Sequence, residues 1–233
     1  MLEEVERLVF ELLVNDTSGH DPNHIRRVSD LAMKFAATEE CNKDIVLLTA
    51  LLHDVDDYKL VGNEKAKELS NTRRILDSVE ISDNLKQQVI TNVKTIGYSK
   101  LLNGIRPKSI EGWIVSDADM CDAIGANGIL RVYAYSYNND RPFFDKNVWP
   151  IENMDAKKYT RKVADSSVCH IFEKVLKLKN LMLTKSGQEE GIKRHEIVVQ
   201  FLYNLFSEEN ALEWIDYLTE YLIKEDTNKV LLK

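Results

Sequence analysis

The sequence predicts an all-α fold. Nine glycines and four prolines are sparse among 233 residues. Apolar residues recur at three- and four-residue spacing along most of the chain, and the strict alternation of a half-buried strand is scarce.

In chain order the spacing predicts helices over 2–14, 21–38, 42–54, 64–79, 83–95, 109–122, 126–137, 156–181, 188–206 and 208–224. The first, in MLEEVERLVFELL, is acidic and amphipathic, unlike the basic-then-apolar pattern of a secretory leader. The second opens on Asp21-Pro22, a helix cap followed by a first-turn proline. Within it Ile25, Val28, Ala32 and Phe35 form one core stripe. The third runs through LLTALLHD, one of the most apolar stretches. Small residues (Ala123, Gly125, Ala126, Gly128) follow 109–122 and permit close helix packing. The segment 138–155, NNDRPFFDKNVWPIENMD, holds two of the four prolines and is predicted as a long loop, a length that often carries function. Trp214, Tyr217, Leu218 and Tyr221 share one face of the last helix, as core or a homodimer surface. One domain is expected over 1–233, with a core at about 15–137 and a helical extension at about 156–233.

Composition narrows the function. Hydrophobic residues make up 44%, enough for a sizeable core. A net charge of −7 argues against binding a nucleic-acid backbone. Cys41, Cys121 and Cys169 are odd in number and lack a CxxC, which fits reduced thiols in a cytoplasmic protein. No apolar run approaches the ~18 residues of a membrane span. His195-Glu196 lacks the second histidine of a zinc-protease motif, since position 199 is valine. Walker and Rossmann glycine patterns are also missing.

Three segments place ligand-type side chains beside apolar helices: HDPNHIRRV, LLHDVDD and SDADMCDAIGANG. His53 and Asp54 are about 100° apart around a helix, with the small Ala50 one turn below. A carboxylate at the end of so apolar a segment is costly unless its charge is compensated. Asp119, through close packing, and His24 would complete a set of two imidazoles and two carboxylates. That set suits a borderline-to-hard divalent ion. The gaps between these positions fix no geometry by themselves, and His-Asp alone is a common dipeptide.

The ordered set HDPNHIRRV, ALLHDVDDYK, EGWIVSDADMCDAIGANGILR and SVCHIFEKVLKLKNLMLTKSGQEEGIKR resembles the HD superfamily of metal-dependent phosphohydrolases. Small stand-alone bacterial members are the nearer likeness, over roughly residues 15–206. The resemblance implies an HD-domain helical bundle with a C-terminal helical extension. It implies ligation by His24, His53, Asp54 and Asp119, with Asp117 as rival for the last position and otherwise behind the ligands. One divalent ion is expected, among Mn²⁺, Mg²⁺, Fe²⁺, Co²⁺, Ni²⁺ and Zn²⁺, because the extra histidines of binuclear members are not evident. This chain departs from the family at Met120-Cys121, where Arg-Leu is usual, and at Asn127.

Asp57 is expected to handle a proton or position water, and Lys59 to contact phosphate. Arg27, His20, Lys94 and Arg131 are weaker expectations for the pocket rim. The expected activity is hydrolysis of a small phosphate ester or anhydride. Nucleotide substrates are favoured, with triphosphate or pyrophosphate-bond cleavage ahead of 5′-monophosphates and cyclic nucleotides. A non-catalytic metal- and nucleotide-binding regulatory module is the alternative.

Overall fold

The structure, a computed structural model, describes residues 1–16, 19–151 and 166–231. Among them every regular element is helical. The elements are α1 (Leu2–Leu13), α2 (Pro22–Ala36), α3 (Lys43–Leu52), α4 (Tyr58–Val61), α5 (Asn63–Glu68), α6 (Ser70–Asp77), α7 (Asp83–Val93), α8 (Tyr98–Leu102), α9 (Ile110–Asp122), α10 (Gly125–Tyr137) and α11 (Ser167–Glu173). A 3₁₀ helix (Val175–Leu181), α12 (Lys185–Glu208) and α13 (Leu212–Leu231) follow.

Caps explain several starts. The Asp21 carboxylate accepts from the amides of Asn23 and His24, and Pro22 occupies the first turn of α2. Asn42 accepts from Asp44 and Ile45 at the start of α3. Ser109 caps α9 and Thr184 caps α12 through the Gly112 and Gly187 amides.

Helices α2, α3 and α9 pack against one another at the centre. One apolar cluster lies on the side of α1, α6 and α7, where Val9, Leu48 and Ile75 are buried. A larger one joins α2 and α9 to the C-terminal helices through Phe35, Ile114, Phe172 and Trp214. The short α3 serves both and is buried nearly all round, so its sequence reads as apolar rather than amphipathic. By burying Ile114, Val115 and Ala118, the larger cluster fixes the face of α9 that remains for ligands.

Some boundaries differ from expectation. The helix predicted over 64–79 breaks at Leu69, whose φ of 54° is left-handed. Asp56 organises the restart, accepting from the Asn71 amide at 2.9 Å and the Thr72 amide at 2.8 Å. The helix predicted over 156–181 is replaced, among the described residues, by α11 and the 3₁₀ turn, while 152–165 lie outside them. Short α4 and α8 were not anticipated, being too brief for a periodic signal. The described part of the 138–155 loop packs on the extension, with Phe143 against Phe201, and Trp149 stacked 4.3 Å from Trp214. Trp214 and Leu218 are core, and Tyr221 donates its hydroxyl to the Phe172 carbonyl. No described helix is long and apolar enough to cross a membrane.

Candidate metal centre

His24, His53, Asp54 and Asp119 converge. The Nε2 atoms of His24 and His53 lie 3.3 Å apart. Asp54 Oδ2 is 3.2 Å from the first and 3.3 Å from the second. Asp119 Oδ1 is 3.6 and 3.8 Å from the same two atoms. A ligand shell of about 2.1 Å radius separates neighbouring ligand atoms by about 3.0 Å in an octahedron and about 3.4 Å in a tetrahedron. The spacings among His24, His53 and Asp54 match such a shell, and Asp119 stands a few tenths of an ångström wider.

Each imidazole is held from behind. His24 Nδ1 lies 2.7 Å from Asp122 Oδ2, and His53 Nδ1 lies 2.7 Å from the Ala50 carbonyl oxygen. Both partners only accept, so the proton of each neutral ring sits on Nδ1 and the Nε2 lone pair faces the cluster. Two lone pairs and two carboxylates cannot meet without a cation between them. The donor chemistry therefore fits a divalent metal, and in its absence a proton takes the position.

The electrostatics agree. Burial works against charge on His53, yet Asp54 and then Asp119 lift its pKa well above the ordinary value. Burial is likewise outweighed at His20, which Asp54 raises. Burial would raise Asp54, but His20 and His53 hold it well below the carboxylate range. Asp119 is lowered against its burial by the bond to His53.

The nearby residues take distinct parts. His20 Nδ1 donates to Asp54 Oδ2 at 2.5 Å, and its Nε2 is 4.0 Å from Asp57 Oδ1. His20 thus sits within the site, closer than the rim position expected for it. Arg27 holds Asp122 with Nε at 2.7 Å and a second nitrogen at 3.0 Å. Arg131 Nη1 is 3.4 Å from His24 Nδ1 and 3.9 Å from Asp122 Oδ2. Two N–H groups do not bond each other, so Asp122 is the group that draws Arg131. The three carboxylates of HDVDD divide their work: Asp54 joins the cluster, Asp56 starts α6, and Asp57 stands beside His20.

Asp117 does not stand behind the ligands as expected. Two residues along a helix is a turn of about 200°, so Asp117 faces away from Asp119. Its carboxylate accepts from the Leu183 and Thr184 amides and the Thr184 hydroxyl. Burial, against those bonds, pushes its pKa up to about 6. Lys94 is exposed at the end of α7; the lysines that feel the site carboxylates are Lys100 and Lys174. The Lys59 side chain lies outside the described residues. Sequence reasoning missed Asp122, Lys100 and Lys174. For Asp122 a signal existed: it follows Asp119 by three residues and so shares its helix face.

The HD domain family model matches residues 23–124. The structure resembles the crystal structure of an HD-superfamily hydrolase from Bacillus thuringiensis at 32% identity and a TM-score of 0.69, covering 90% of this chain and 97% of that one. A Lactobacillus plantarum protein matches at 28% identity and a TM-score of 0.78, over 90% and 97% of the two chains. YpgQ of Bacillus subtilis, in a structure with ADP, matches at 27% identity and a TM-score of 0.69, over 89% and 97%.

Proposed function

We propose, because the chain belongs to the HD superfamily, that it is a metal-dependent phosphohydrolase acting on a small phosphate ester or anhydride. Nucleotides are the favoured substrates, with the pyrophosphate bond of a triphosphate ahead of 5′-monophosphates and cyclic nucleotides. The observation that carries this is the facing pair of imidazole lone pairs, 3.3 Å apart, between Asp54 and Asp119. The structure of YpgQ with ADP supports the nucleotide part.

His24, His53, Asp54 and Asp119 would hold one ion, and mixed nitrogen and oxygen ligation accepts Mn²⁺, Mg²⁺, Fe²⁺, Co²⁺, Ni²⁺ or Zn²⁺. When bound, such an ion supplies Lewis acidity, activating water near neutral pH and drawing charge from a phosphoryl oxygen. The protein supplies position and proton traffic. Asp122 holds His24 in the tautomer that can ligate, and Ala50 does so for His53. Asp57 is the group that orients water or takes its proton. His20 steadies the Asp54 oxygen through Nδ1 and turns Nε2 toward Asp57, a path by which a proton can leave.

The test is phosphate and pyrophosphate release from a nucleotide panel with Mn²⁺, comparing wild type with Asp54→Ala. Release by the wild type alone is expected. If saturating Mn²⁺, Mg²⁺, Co²⁺ or Ni²⁺ neither binds nor supports release, the proposal fails. Thermal stabilisation by nucleotide without turnover would instead favour a non-catalytic metal- and nucleotide-binding module.

A further inference from the structure

The outer side of α10 carries an apolar stripe. Ala126, Leu130, Tyr133 and Tyr137 follow one another at intervals of four, three and four residues, so they line one side of the helix. Leu130 is 65%, Tyr133 51% and Tyr137 71% exposed. The opposite side buries Gly125, Gly128 and Ser136. The single charged residue of α10, Arg131, turns away from the stripe toward Asp122.

The patch continues beyond the helix. The ring centres of Tyr133 and Tyr137 are 6.2 Å apart, Phe143 lies 5.9 Å from Tyr133, and Phe201 of α12 lies 5.8 Å from Phe143. Ile197, one turn before Phe201, is exposed on the same side of α12. Exposed amides on these two helices, Asn127, Gln200 and Asn204, add polarity without charge.

A solvent-facing helix ordinarily turns its charges outward. In a chain that is 30% charged, α10 does the reverse. A contiguous exposed apolar patch marks a contact with another protein. At about 200 Å² for a whole tyrosine, Tyr133 and Tyr137 alone leave roughly 240 Å² uncovered. With Leu130, Ile197 and the amides, two copies pressed together here would bury roughly 1,200 Å² in total, the lower edge of a stable dimer.

The occupant follows from spacing and charge. Intervals of four, three and four are the seam of a helix paired with another helix. A two-fold axis sets such a seam against itself. Each copy carries a net charge of −7, and a face without carboxylates lets two such copies approach. The aromatic face of α13 does not serve, because Trp214 and Leu218 are already core.

We infer that α10 pairs with α10 of a second copy of this chain across a two-fold axis, with Ile197 and Phe201 on its flank. The pairing stands whether or not the metal centre turns over phosphate. Arg131 adjoins Leu130 in the chain and faces Asp122 behind His24, so α10 links the seam to the metal centre.

The test is sedimentation equilibrium of the full chain over about 1–100 µM, at low and high salt. Wild type is compared with Leu130→Glu, Tyr137→Glu and a control, Leu212→Glu, at an exposed position of α13. Wild type is expected to dimerise in the low micromolar range. Each seam variant should weaken association about 100-fold or more, because a carboxylate is trapped in an apolar contact. The control should dimerise as wild type does. Salt should strengthen the dimer by screening the repulsion between like-charged copies. Circular dichroism checks that each variant folds; if Leu130→Glu does not, Tyr137→Glu decides.

A wild type that stays monomeric throughout overturns the pairing and leaves the face to another protein or another part of this chain. A dimer that persists in both folded seam variants overturns it, as does one lost equally in Leu212→Glu, since the copies then pair elsewhere. A dimer that loosens with salt overturns the uncharged seam.

Discussion

Replacing Asp122 by asparagine should disable the metal centre without touching a ligand. The Asp122 side chain is 1% exposed and accepts from His24 Nδ1 on Oδ2 and from Arg27 Nε on Oδ1. An amide has the same shape but only one accepting atom. If its oxygen serves Arg27, its NH₂ faces His24, which must shift its proton to Nε2 and point an N–H into the cluster. If its oxygen serves His24, two donors collide at Arg27. Loss of a partner behind a ligating histidine costs roughly 10- to 100-fold in metal affinity, or about 1.4–2.7 kcal/mol. Without metal, the lost charge-assisted bonds are worth about 2 kcal/mol in all, since the Arg27 side chain is 37% exposed and its share is screened. In a chain of this size that is about 4–8 °C in Tm. The assays are Mn²⁺ titration calorimetry near neutral pH and thermal melts in chelator. Arg27→Met, which leaves the bond to His24 in place, should reduce affinity less. A folded Asp122→Asn protein that binds Mn²⁺ as tightly as wild type would refute the tautomer argument.

Metal affinity should rise with pH above about 6.5, because binding displaces protons from His20 and His53, whose pKa values are raised; calorimetry in buffers of different ionisation enthalpy counts those protons. Stability of the metal-free protein should move the other way. The raised histidines stabilise fully below about 6.5, and lose that contribution as pH climbs through their folded values. The lowered Asp54 and Asp119 stabilise above about 3.9, and lose it as pH falls through theirs. Melts in chelator should therefore peak between those limits. Gly187→Ala should destabilise by about 1–3 kcal/mol, read as a lower Tm, because the added Cβ would lie 2.3 Å from Asp117 Oδ2. Asp57→Asn should lower kcat by about 10²- to 10⁴-fold with Mn²⁺ binding retained; unchanged turnover would remove Asp57 from the chemistry.

What the sequence discloses follows from how local each signal is. The all-α class and the starts at Asp21 and Asn42 depend on neighbours in the chain, so spacing and capping chemistry reveal them. The convergence of His24, His53, Asp54 and Asp119 joins positions up to 95 residues apart, and no local pattern fixes it; the resemblance of ordered segments supplied it. Asp117 and Asp119 look interchangeable in SDADM until the helix exists and sends them opposite ways. Leu69 carries none of the glycine or asparagine chemistry that marks a left-handed residue, so the break between α5 and α6 left no mark. Lys174 resembles any surface lysine in FEKVLKLK, because its setting is made by Tyr98 and Arg131 from distant helices.

The grip of Asp117 on the start of α12 bears on how this chain can be divided. The HD match ends at residue 124, a natural place to trim an expression fragment. A chain cut there would strand the Asp117 carboxylate without its donors at 183 and 184. It would also strip the apolar cover that the C-terminal helices provide to Ile114 and Cys121. The same helix aims Asp119 at the histidines, so slack at one face becomes misaim at the other. The family model ends at 124; the unit that keeps its ligands aimed extends at least through the first turns of α12.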